Sequence, residues 1–145
     1  MDGKSQKVDR DPIISSDTAA RLAQYCPDLQ NWPRSWCYDD PDIPPGERIV
    51  HYLKPFLLHL LEQQLATKTL RRHRDNIWLL GGELIRHRYE DDKLMKLPVE
   101  KLIIELIHED GGPFIYPRIT EPEQESFDAT CRKLYRFLSH NNGSA

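Results

Sequence analysis

At 145 residues the chain falls near the commonest single-domain length and is long enough to bury roughly two thirds of the surface its unfolded form exposes. Charged residues make up 30% of it and hydrophobic ones 39%, enough for one core, and no apolar run is long enough for a membrane span or a signal peptide. A net charge of −3 excludes attraction of the whole molecule to nucleic acid, so any such attraction has to be local. Cys26, Cys37 and Cys131 are odd in number and irregular in spacing, which suits reduced thiols in a cytoplasmic protein better than a disulfide framework.

In chain order, residues 1–17 are polar and aperiodic and predict a loose arm. Ser16 or Asp17 caps a short helix that ends at Pro27. From Asp28 to Gly46 four prolines stand among Trp32, Trp36 and Tyr38, a composition that forbids a long helix and predicts an ordered strap on a helical body. Ile49, Leu53, Phe56, Leu57, Leu60 and Leu61 recur at helical spacing over 48–64, with Pro55 expected to kink or split that helix. Thr67 is the expected N-cap of a helix over 68–88 whose apolar face is Leu70, Ile77, Leu80 and Leu84. Gly81-Gly82 inside it costs about 1 kcal/mol per glycine relative to alanine, which makes sense if another helix or a ligand crosses closely there, or if the helix breaks. Pro98 opens a helix over 98–109 that Gly111-Gly112 ends, and Phe114-Ile115-Tyr116 between two prolines is extended. Thr120 and Glu123 form a capping box for a helix over 122–139, and residues 141–145 fray. Leu102, Ile103, Leu106, Phe127, Leu134 and Leu138 are expected in one core. The fold class is therefore all-α: a bundle of about five helices with a Pro- and Trp-containing strap, one domain over 18–140.

The common catalytic and phosphate-cradling signatures do not occur. His73-Arg74-Asp75 matches the first letters of a kinase catalytic loop but lies within a predicted helix, and Leu80 stands where that loop needs asparagine. Cys26, Cys37 and His51 lack the paired spacing of structural zinc, and Asp39, Asp40 and Asp42 lack the remaining oxygen ligands of a calcium loop, so a solvated turn is the reading there. Neither a metal nor a cofactor is expected, and neither is enzymatic activity.

The segment Leu65 to Gly82 carries the functional signal. Lys68, Arg71, Arg72 and Arg74 crowd the first two turns of a helix, where the macrodipole disfavours positive charge. From His51 to Arg88 there are seven Lys and Arg against three Asp and Glu, whereas the rest of the chain has thirteen against twenty. Projection at 100° per residue puts Lys68, Arg71, Arg72 and Arg86 opposite the apolar face, with Asp75 and Glu83 on the same polar side. Either this is a solvated face laced with ion pairs, or a helix start that contacts phosphates, to which the Thr67 and Thr69 hydroxyls and free backbone amides add donors.

Over about residues 52–84, the apolar helix containing Phe56-Leu57-Leu58-His59-Leu60-Leu61, a short link, and Ala66-Thr67-Lys68-Thr69-Leu70 opening a basic helix resemble the N-terminal, SAM-like core-binding domain of phage integrases and tyrosine recombinases. The resemblance implies that a small helical bundle clamps duplex DNA, with Lys68, Thr69, Arg71, Arg72 and Arg74 near the phosphates. The His-x-x-Arg pair of the recombinase catalytic domain is absent, so recombination chemistry finds no residues in this sequence. The expected function is a non-enzymatic DNA-binding or DNA-associated accessory protein, with double-stranded DNA as partner and no membrane. The alternative is a protein-interaction or dimerisation module that regulates a partner.

Overall fold

The computed structural model describes the backbone of residues 15–143 and the side chains of residues 15–140. The seven α-helices among these residues are α1 (Ser16–Tyr25), α2 (Trp32–Trp36), α3 (Ile43–Glu62), α4 (Thr67–Arg88), α5 (Asp92–Lys96), α6 (Val99–Leu106) and α7 (Glu121–Gly143). There is no β-strand among them, only an isolated bridge between His108 and Gly111 that closes the turn after α6. No helix among them is long and apolar enough to cross a membrane. The all-α architecture agrees with the periodicities, with two more helices than expected.

The extra helices are the short ones. Trp32–Trp36 closes a turn inside the strap, and Asp92–Lys96 forms another after Asp91, whose side chain accepts from Lys93 N at 2.9 Å. Five residues are too few for a periodic pattern to show. Boundaries moved for local reasons. Ser15, not Ser16 or Asp17, caps α1 by accepting from Thr18 N at 3.0 Å, so residues 15–17 belong to the helix start and the rest of the expected arm lies outside the described residues. α3 begins at Ile43 because Pro44 and Pro45 occupy its first turn, where proline loses no hydrogen bond. It then runs unbroken through Pro55. Leu53, Phe56, Leu57 and Leu60 around it are 0 or 1% exposed, and burying four such side chains, at about 1.5–3 kcal/mol each, outweighs the roughly 3 kcal/mol cost of an internal proline. α6 stops at Leu106, short of the expected 109. α7 continues to Gly143 where fraying was expected from 141, and the remaining residues lie outside the described ones. The capping box at its start is present: Glu123 N donates to Thr120 Oγ1 at 3.2 Å and Thr120 N to Glu123 Oε1 at 2.8 Å.

α4 is the axis of the bundle. It presents Ile77, Leu80, Leu84 and Ile85 to α3, α6 and α7, which contribute Ile49, Phe56, Leu60, Leu102, Ile103, Phe127 and Leu134 to the same core. Leu106 and Leu138, expected inside it, pack half-buried at its edge. α7 lies antiparallel to α4: His73 meets Thr130, and Asn76 one turn on meets Ser126. α1 docks across α3 and α4, with Arg21 Nη2 donating to Leu61 O at 2.8 Å and the Tyr25 hydroxyl donating to Leu70 O. Residues 113–115 carry no regular structure, and Tyr116, expected to be extended with Phe114 and Ile115, lies in a turn. Ile115 plugs the core, while Gln124 Oε1 accepts from the backbone of Ile115 at 2.7 Å and of Tyr116 at 3.0 Å.

What crosses α4 at its double glycine is the strap. The Trp36 indole lies flat enough on Gly81 that a Cβ there would enter the ring, and its Nε1 donates to Trp78 O at 2.9 Å. In return the Trp78 Nε1 donates to Ser35 Oγ at 2.9 Å. Gly82 is less confined, since a Cβ there would meet Trp36 at an ordinary 3.4 Å. The two glycines should therefore respond with opposite signs. In urea titrations, Gly81→Ala is expected to destabilise by about 1–3 kcal/mol through overpacking. Gly82→Ala is expected to be neutral or stabilising by up to about 1 kcal/mol through helix propensity. Equal effects at the two positions would show that Trp36 does not rest on Gly81.

Candidate nucleic-acid interface

The start of α4 is less capped and more selective than its sequence suggests. Thr67 is not the N-cap. It is the first helical residue, preceded by Ala66 at φ −60°, ψ 149°, and no side chain among the described residues caps this end. Such an end retains its partial positive charge and its unpaired donors. Lys68, Arg71 and Arg72 are exposed, with no ion-pair partner within 4 Å among the described residues, and Thr69 is half-buried beside them. Arg74 separates from this group. Its Nε donates to Asp75 Oδ1 at 2.9 Å and its Nη1 to Tyr25 O at 3.1 Å, and the guanidinium lies 6.0 Å from the centroid of the Tyr25 ring. A side chain 25% exposed and held three ways is a strut between α1 and α4 rather than a hand for a ligand.

Arg86, placed by projection on the same polar face, lies near the far end of α4 and pairs with Glu90 at 3.1 Å. Glu83, expected on that face, is 4% exposed and accepts a two-pronged bond from Arg118 at 2.9 and 3.1 Å. Asp42 likewise departs from the expected solvated turn. It is 2% exposed and its carboxylate accepts from Tyr38 N, Asp39 N and the Tyr89 hydroxyl, the last at 2.6 Å. The buried carboxylates are thus satisfied at one end of α4, and the unpaired cations cluster at the other. Between them, against the strap, runs a groove of about 860 Å³ under Trp32 and Trp78, where Arg72 and Arg74 are offset by Asp28, Asp75 and Glu123.

Across the seam from the cationic end lies a feature the sequence reading missed. α7 is divided by charge: Glu121, Glu123, Glu125 and Asp128 precede Arg132, Lys133 and Arg136. Its antiparallel packing brings the basic half beside the basic start of α4. Buried His73 sits at that junction, its Nδ1 hydrogen-bonded to Thr130 Oγ1 at 2.7 Å. Burial, followed by the positive charges of Arg72 and Lys133, holds its proton affinity below the ordinary 6.5. The charge division of α7 was readable in the sequence, but nothing there said which helix it would face. Cys26 and Cys131 are core thiols, the first pushed up to about 12 by burial, and no group of three His, Cys, Asp or Glu among the described residues is placed to hold a metal ion.

Comparison with protein-family models, with curated proteins and with solved structures finds no match to this chain.

A histidine whose proton affinity is lower folded than unfolded contributes stability above the unfolded value and loses it as pH falls. For His73 the loss begins below about pH 6.5. The wild type should therefore lose more unfolding free energy between pH 7.5 and 5.5 than His73→Gln, whose amide reaches Thr130 without titrating. Equal losses in urea titrations at the two pH values would show that His73 does not act this way.

Proposed function

We propose that the protein binds double-stranded DNA without acting on it chemically, holding backbone phosphates at the start of α4. Among the described residues three cations, Lys68, Arg71 and Arg72, stand unpaired on the first turns of a helix whose amide end is uncapped, and this observation carries the reading. Positive side chains at that end oppose the helix dipole and repel one another, and a bound phosphate relieves both while accepting from the free amides. Thr69 adds a hydroxyl donor. Arg74 is dropped from the expected set because Asp75 and Tyr25 occupy it. The resemblance of residues 52–84 to recombinase core-binding domains would put a duplex at the same turn.

Contacts of this kind fix register without reading bases, so unrelated duplexes should bind with similar affinity and steep salt dependence. In band-shift titrations from 50 to 200 mM salt, replacing Arg71 and Arg72 together by alanine should flatten the dependence of log affinity on log salt by about two units. Thermal stability should hold, since neither side chain packs in the core. Binding that ignores salt, or a wild type with no affinity at 50 mM, would overturn the DNA reading and favour the rival protein-interaction module, for which the groove under Trp78, lined by two arginines and three carboxylates, is the surface at hand.

A further inference from the structure

We infer that the groove between the last turn of α3 and the second half of α7 is a second phosphate seat, which takes backbone phosphates of the same duplex that the start of α4 engages. It rests on the DNA reading and adds residues that the start of α4 does not contain. The groove measures about 350 Å³, with His59 and Gln63 on one wall, Lys133, Arg136 and His140 on the other, and Phe137 between them.

Its walls are held by packing. The Phe137 ring lies 4.8 Å from that of His59 and 5.4 Å from buried Phe56, and Gln63 Nε2 lies 3.0 Å from His59 Nε2. Lys133, Arg136 and His140 follow at i, i+3 and i+7, so they rise on one face of α7 over about 10 Å. One strand of a duplex presents about three phosphates over that axial length.

The charge has no internal explanation. From Ala129 to His140 the helix holds Arg132, Lys133 and Arg136 and neither Asp nor Glu. Lys133 and Arg136 have no ion-pair partner within 4 Å among the described residues. Glu62, the acidic residue at the end of α3, does not line the groove. The helix dipole favours cations within the last turn only, and α7 runs to Gly143, well beyond both residues. Meanwhile the antiparallel register that sets His73 against Thr130 and Asn76 against Ser126 carries the basic half of α7 toward the start of α4. Two cationic helix segments packed side by side repel each other, and a polyanion spanning both removes the repulsion.

The test is a salt series on a generic duplex with the full chain, comparing wild type, Arg71→Ala with Arg72→Ala, Lys133→Ala with Arg136→Ala, and all four together. The α7 pair is expected to lower the salt slope by about two, which corresponds to an affinity ratio against wild type that shrinks by about twelvefold between 50 and 200 mM salt. All four changes together should lower the slope by about four. Lys133→Arg with Arg136→Lys, which keeps the charges, should restore the wild-type slope and thereby exclude a folding defect. If the α7 pair leaves the slope unchanged while the α4 pair lowers it, the second seat is overturned and the α4 reading stands. If the α7 pair lowers it and the α4 pair does not, the seat stands and the α4 site falls. A wild type that does not bind overturns both.

Discussion

The contact on which the rest of the molecule depends is the Trp36 indole against Gly81. α4 touches every other large element, so its rotation about its own axis decides which of its residues face inward. The strap can lie close to the helix only where no side chain intervenes, and Gly81 is that place. The exchange of indole donors between Trp36 and Trp78 fixes the contact in register. With Gly81 turned to the strap, Arg74, two turns earlier, points the same way to within about 20° and is enclosed by α1. The rotation that satisfies a tryptophan thus also sets Arg74 against α1 as a structural arginine.

Much of this was legible in the sequence. The 3.6-residue stripes of α3, α4, α6 and α7 and the Thr120–Glu123 capping box are local patterns, and the helices formed where they lie. The cost of Gly81-Gly82 pointed to a close crossing, and the strap supplies it. The same period that showed the apolar face of α4 also separates Arg74 from Arg72, a consequence available from 100° steps alone. Other features were not local. Pro55 survives inside α3 because distant side chains bury its neighbours, and Glu83 is buried because Arg118, from a loop thirty-five residues away, reaches over it. Thr67 failed as a cap because the preceding Ala66 already takes the extended conformation that ends the link. The candidate site was half visible: the basic start of α4 stands out in the sequence, but its neighbour on α7 depends on which helices pack together.

The charge arrangement along the bundle explains how an acidic protein can offer a cationic surface. Carboxylates at one end of α4 are buried and neutralised in hydrogen-bonded clusters around Glu83 and Asp42. The opposite end carries Lys68, Arg71 and Arg72, without ion-pair partners among the described residues, and there the basic half of α7 packs alongside at buried His73, whose proton affinity burial and two neighbouring cations lower. A local field of this kind acts within about a Debye length, roughly 8–10 Å in physiological salt, and is therefore felt by a phosphate at contact although the net charge is −3.

The most direct test of this account is the map of backbone amide signals perturbed when a short duplex is titrated into the labelled protein at low salt. Perturbation concentrated in residues 67–72 and 133–140, with the amides around Trp36 and Gly81 unmoved, is the result the account predicts. Perturbation centred on the groove beneath Trp78, or none at saturating duplex, would contradict it.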